Sequence, residues 1–262
     1  MKKYPLLLSC LSVLFCAQIK EEDSDSAELA AAELNKVSLY EIGTAAAPSE
    51  TPLPSPHLRL GENLITNGSF ESPVLSAPWA TYNSEMVPGW QASWLDATCA
   101  TPPQIELQNK DLFSTAPHEN QYTELDADNA CTADARVKLM QSFRTEANHI
   151  YRVTFWVRAR DAEHLMGVRA DFGQGYALEV IPPTGAWQIV TVHIEATGDI
   201  TTLSFTDTGV GDTYGTFIDA VEVREVTVDT ENMPKPKGKK GKGKPKQSFE
   251  NGRRHKDCSR AR

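Results

Sequence analysis

The chain has 262 residues, 40% hydrophobic and 23% charged, which is globular composition and suits one domain of 150–200 residues with appendages. Only the N-terminus carries an apolar run near the roughly 20 residues that span a bilayer, so a polytopic membrane protein is excluded. The net charge of −9 is unevenly spread: residues 229–262 hold 12 Lys/Arg against 4 Asp/Glu, and the rest hold 14 against 31.

Residues 1–15 read as a signal peptide. Lys2 and Lys3 give the positive start, and Leu6, Leu7, Leu8, Leu11, Val13, Leu14 and Phe15 the apolar stretch. It ends at Cys16 in the string VLFC, which resembles a bacterial lipobox, with Phe15 where a small residue usually stands. Cys16 is therefore the expected lipidation site, and plain secretion with an incidental cysteine is the alternative. Acyl chains on Cys16 would hold the exported protein on a membrane. Without lipid the protein is secreted or periplasmic. Residues 16–60 are acidic and then Pro/Ser-rich, from KEEDSDS to APSETPLPSPH, and read as a tether.

From residue 61 to 228 the pattern is that of β-structure. Strand candidates in chain order begin with NLITNGSF, QIELQN, QYTELDA and LMQSFRT. In HIYRVTFWVRAR, Tyr151, Val153, Phe155, Val157 and Ala159 share one face, and Arg152, Thr154, Trp156 and Arg158 the other. LMGVRADFG and ALEVIP follow; then WQIVTVHIEA alternates with Val190, Val192 and Ile194 on one side. TTLSFTD and GTFIDAVEVREVTV close the region. NG, PG, GQG and TGD mark turns, and no amphipathic helix of ordinary length intervenes. The expected fold is all-β, a two-sheet antiparallel sandwich or jelly roll.

Cys99 in DATCATPP and Cys131 in DNACTAD both sit in polar, loop-like sequence and are the expected disulfide, stabilising by about 3 kcal/mol through closure of a loop of about 30 residues. Residues 229–262 form a basic tail whose KPKGKKGKGKPKQ has 7 lysines in 13 residues. Such a polycation binds anionic polymers or headgroups rather than, for an exported protein, nucleic acid. A solubilising tail, or one that folds back on the acidic body, is the alternative.

ENLITNGSFESP followed by VPGW resembles the opening of galactose-binding-like, jelly-roll carbohydrate-binding modules. HENQYTELDADNA, LMQSFRTEANHIYRVTFWVRAR and LSFTDTGVGDTYGTFIDAVEV narrow the resemblance. Together they are similar to the family of plant cell-wall proteins and bacterial exoproteins known only as a domain of unknown function, number six-four-two, over roughly residues 61–225. The resemblance implies one structural Ca2+ that pins the chain ends, with carboxylates from Glu71 of NGSFE and Asp219 of FIDAV. Asp207 and Asp212 are further oxygen donors nearby.

Six scattered histidines fall in no catalytic motif, so no enzyme is expected. A sugar site needs an aromatic platform beside rigid polar groups. The candidates are Trp79, Tyr82 and Trp94 in loop-like sequence, Tyr122, and Trp156 with Arg158 on one strand face; Trp90 and Trp187 are expected in the core. The expected function is a non-catalytic surface module that binds cell-wall or extracellular polysaccharide. The alternative is an adhesin or structural surface protein for a protein or host-matrix partner, with the basic tail contributing.

Overall fold

The computed structural model describes residues 40–44 by their backbone, and 58–127, 134–173 and 175–229 in full. The signal peptide, Cys16, Cys131 and the tail beyond Asp229 lie outside the described residues. Among the described residues the strands are, in order, β1 (Tyr40–Thr44), β2 (Leu58–Asn63), β3 (Trp79–Asn83), β4 (Gln91–Trp94), β5 (Gln104–Asn109), β6 (Gln121–Glu124), β7 (Val137–Arg144), β8 (Ile150–Ala159), β9 (Val168–Asp171), β10 (Ala177–Val180), β11 (Gln188–Glu195), β12 (Ile200–Asp207) and β13 (Thr216–Val228). The large sheet runs β1-β11-β8-β13-β6-β5-β3, with β2 also on β13; the small one runs β10-β9-β12-β7-β4. All strand pairs are antiparallel, as the alternating patterns require. The two-sheet antiparallel sandwich expected from the sequence is the observed fold.

The inner faces follow period 2. Tyr151, Val153, Phe155 and Val157 of β8 meet Val190, Val192 and Ile194 of β11 and Leu203 and Phe205 of β12 in one core. Trp90 stacks on Phe70 at 5.2 Å, and its indole N–H donates to the Asn67 carbonyl at 3.0 Å, so the expected core tryptophan is also satisfied as a polar group.

Three segments differ from their sequence reading. The tether does not extend unbroken to residue 60: β1 pairs with β11, and β2 starts at Leu58. NLITNGSF is not a strand beyond Asn63. Asn67 and Phe70 take φ of 53° and 55°, and residues 66–69 turn. The Gln141 side chain replaces the missing ladder partner, accepting from Thr66 N at 2.8 Å and donating to Thr66 O at 3.0 Å. Trp79, Tyr82 and Trp94 lie in short strands, not loops, because β5 and β7 supply the pairing that a four- or five-residue segment cannot advertise alone.

Candidate functional site

The outer face of the large sheet carries two side-chain rows, fixed by register. One row includes Trp79, Gln108 and Tyr122 on neighbouring strands, then Asp219, Trp156 and Ile189. The next includes Thr81, Glu106, Glu124, Phe217 and Arg158. Strand neighbours at matched register point the same way, so period 2 alone assembles this face.

Its floor is aromatic. Tyr122, Trp187 and Phe217 form a second apolar cluster outside the main core, with Trp156 packed against it. Trp187, expected in the core, is buried in this second core cluster. The segment after β5 is stapled over the cluster: Trp187 Nε1 donates to Ser114 Oγ at 2.9 Å and to the Thr115 carbonyl at 2.6 Å, and Arg158 donates to Ser114 Oγ. Phe113 from this segment stacks toward Phe217 at 6.3 Å while staying 43% exposed.

Beside the floor stands a planar column. The Arg160 guanidinium lies 4.1 Å from the Phe113 ring centre and 4.5 Å from that of Tyr214. His164 stacks on Tyr214 at 4.0 Å and 7°, and its Nδ1 lies 2.9 Å from Asp161. Arg160 donates to Glu124 at 3.1 Å and to the Thr213 carbonyl at 3.1 Å. Gln108 donates to both Glu106, at 2.9 Å, and Glu124. Burial first, and then the Glu106 charge, pushes the Glu124 carboxyl well above its ordinary value, against the pull of Arg160.

Of the six residues expected to bind ligand, the structure brings four to this face. Trp79 is 40% exposed, and Trp156 and Arg158 are half-buried. Tyr122 has no exposed surface, so it forms the floor and offers a ligand no direct contact; burial pushes its hydroxyl up to about 12. Tyr82 pairs with Ile105 and leans on the main core. Trp94 is on the small sheet, its indole N–H donating to the Thr101 carbonyl at 2.7 Å. Neither belongs to the outer face of the large sheet. Sequence reasoning missed Gln108, Phe113, Arg160 and Tyr214. For Arg160 the signal was present, since RVTFWVRAR alternates so that Arg160 shares a face with Trp156 and Arg158; Gln108 reaches the face through its pairing with Trp79 and Tyr122.

Glu71 and Asp219 approach the same stretch of backbone from two sides. Glu71 Oε1 accepts from Asn120 N and Gln121 N, both at 2.7 Å. Asp219 accepts from Ala220 N at 2.5 Å and His118 N at 3.1 Å. Asp219 is 0% exposed, and burial, reinforced by the Glu71 and Glu119 charges, pushes its carboxyl up to about 8. Asp207 and Asp212 do not join this pair; their charges act on Asp126 instead. Cys99 is disulfide-bonded, and its Sγ lies 3.6 Å from the Asp134 carbonyl; Cys131 lies outside the described residues.

No family model and no curated protein matches the chain. Among solved structures, a CBM4 module is 16% identical over 62% of this chain and 99% of its own, with a TM-score of 0.36. TmCBM61, solved with β-1,4-galactotriose, is 16% identical over 62% and 98%, with a TM-score of 0.31. The CBM22-1 xylan-binding domain of Paenibacillus barcinonensis Xyn10C is 12% identical over 65% and 96%, with a TM-score of 0.34. The similarity is distant and assigns no ligand to this chain.

Proposed function

We propose that the sandwich is a non-catalytic carbohydrate-binding module whose sugar face is the outer surface of the large sheet. The observation that carries this reading is that Trp79, Phe113 and Trp156 flank one face whose polar groups are already held by buried partners. Pyranose C–H faces stack on such rings, and hydroxyls bond to fixed polar groups at their edges, here the guanidinium N–H groups of Arg158 and Arg160. The motifs similar to family six-four-two, and the opening similar to galactose-binding-like modules, support the same reading.

A structural Ca2+ at Glu71 and Asp219 belongs to this proposal. The donor set suits a hard cation: two carboxylates close enough to repel, one wholly buried, meet on one stretch of backbone. Its role there is to tie the segment before β3 to β13. Export, with a lipid on Cys16 as anchor, rests on the N-terminal sequence, and attraction of anionic polymers rests on the lysines of the tail.

A glycan array probed with residues 17–262 tests the reading. Binding to one sugar class is expected, weakened about 5- to 150-fold by Trp79→Ala or Trp156→Ala, because loss of a stacking ring is worth about 1–3 kcal/mol. Trp94→Ala, on the other sheet, leaves binding unchanged. Silence from a folded protein across the array overturns the sugar reading and favours a protein-binding surface domain.

A further inference from the structure

Asp126 is 1% exposed, and neither of its carboxylate oxygens has a hydrogen-bond partner among the described residues. Its backbone bridges Arg136, just past the end of β6. A buried polar group is nearly always satisfied, and a carboxylate has up to four acceptor positions to fill. The surroundings make the orphan more costly. Glu106, Asp207, Asp212 and Asp134 all act on Asp126 as like charges.

The nearby cations are already engaged. Arg136 forks onto Asp134, with contacts of 2.6–3.1 Å, and donates to the Gly209 carbonyl at 2.6 Å. Arg160 is bound to Glu124 and the Thr213 carbonyl. Six carboxylates, at 106, 124, 126, 134, 207 and 212, thus share two guanidinium groups.

The loop between β12 and β13 closes tightly over this group. A Cβ on Gly215 would lie 2.8 Å from Asp126 N, and one on Gly211 would lie 2.7 Å from Asp134 Cγ. Asp207 is 2% exposed and accepts from Gly209 N at 2.6 Å and Thr216 N at 3.2 Å, which fixes the loop at both ends. Glycine at 211 and 215 permits a close approach of acidic chain to acidic chain that electrostatics alone opposes.

We infer that Asp126 anchors a second cation site, which takes a hard divalent ion of the calcium class beneath the Asp207–Gly215 loop. It is separate from the Glu71–Asp219 position and independent of the sugar reading. Beside the engaged Arg136 and Arg160 guanidinium groups, the groups around Asp126 that could ligate an ion are carboxylates, which suits calcium and not a soft metal. Among the described residues no three His, Cys, Asp or Glu side chains already form a shell. Calcium does not require one, because it completes its six to eight ligands with loop carbonyls and water. The ion braces the loop that carries Tyr214, and so the column beside the sheet face.

Amide hydrogen exchange on the full chain, stripped of metal and then titrated with Ca2+, tests the site without any substitution. Slower exchange at residues 207–216 and 124–127 is expected. Protection confined to 118–121 and 219–220 reports only the Glu71–Asp219 position and overturns the inference. No calcium effect at residues 207–216 also overturns it, and leaves a bound proton as what neutralises Asp126. Asp126→Asn should abolish the protection at 207–216 and lower the calcium stoichiometry by one per chain, whereas Asp219→Asn should leave both features of the Asp126 site in place. Protection that survives in a folded Asp126→Asn protein overturns the assignment. Should that variant not fold, Asp212→Asn, at a half-buried position, replaces it and should weaken calcium binding at this site by about tenfold.

Discussion

Asp219 stands opposite Trp156 in the ladder between β13 and β8, yet it is completely buried, so one register position carries both a face residue and a structural carboxylate. Burial pushes Asp219 and Asp126 up to about 8 and Asp207 up to about 6, all from an ordinary value of 3.8. A raised folded-state value means that the fold holds a proton the unfolded chain has released. The stabilisation is then complete below about pH 4 and is lost as pH rises through 6 and 8. Thermal melts in chelator are expected to show Tm falling steadily from pH 5 to pH 9. Asp219→Asn should flatten that slope, and added Ca2+ should offset it, since a cation replaces the proton. A Tm that rises with pH in chelator contradicts the assignment. At this scale the sequence was partly legible. FIDAV and NGSFE named carboxylates that do meet one turn, but nothing in DNACTAD or TELDADNA marked Asp126 as buried, because burial there comes from the β12–β13 loop, some 80 residues away in the chain.

Element by element, the long strands were readable and the short ones were not. β8 and β11 bury one face over eight to ten residues, so their alternation is complete within the strand. β3 and β4 have five and four residues and are defined by their partners. The turn after β2 is set by distant contacts as well. Asn63 Oδ1 accepts from Ile65 N at 3.1 Å and from Val223 N at 3.0 Å, and Gly68 docks on the bulge where β13 shifts register after Asp219. Val221 N donates to the Gly68 carbonyl at 2.9 Å, and a Cβ on Gly68 would run into the Val221 carbonyl oxygen. Gly68→Ala should therefore destabilise the domain by about 1–3 kcal/mol through overpacking. Urea unfolding measures the loss; a variant with the wild-type midpoint shows that the turn can step away from β13.

For the molecule as a whole, composition and periodicity foretold a two-sheet sandwich, because the long strands β7, β8 and β11 bury alternate residues. The candidate face was less legible. Tyr122 and Trp187 look like any exposed or core aromatic in sequence, and only the segment folded back after β5 turns them into the floor of a face. The Cys99 disulfide bears on the whole molecule, since the expected bridge to Cys131 would enclose β5 and β6. Reduction, or the pair Cys99→Ser and Cys131→Ser, is expected to cost about 3 kcal/mol in denaturant unfolding. Peptide mapping under non-reducing conditions identifies the partner, and any partner other than Cys131 refutes the pairing.

Leu58 at the start of β2 faces Val228 near the end of β13, Arg59 faces Thr227, and the Arg59 guanidinium holds Asp229. A pull applied at Leu58 and Asp229 therefore acts across the last rung of the β2–β13 ladder and not along it. Rungs so loaded break in succession, beginning with the Arg59–Asp229 pair, and the force resisted is that of a single pair. Opposed tension at these two points would unzip β2 from β13 before that ladder was loaded in shear.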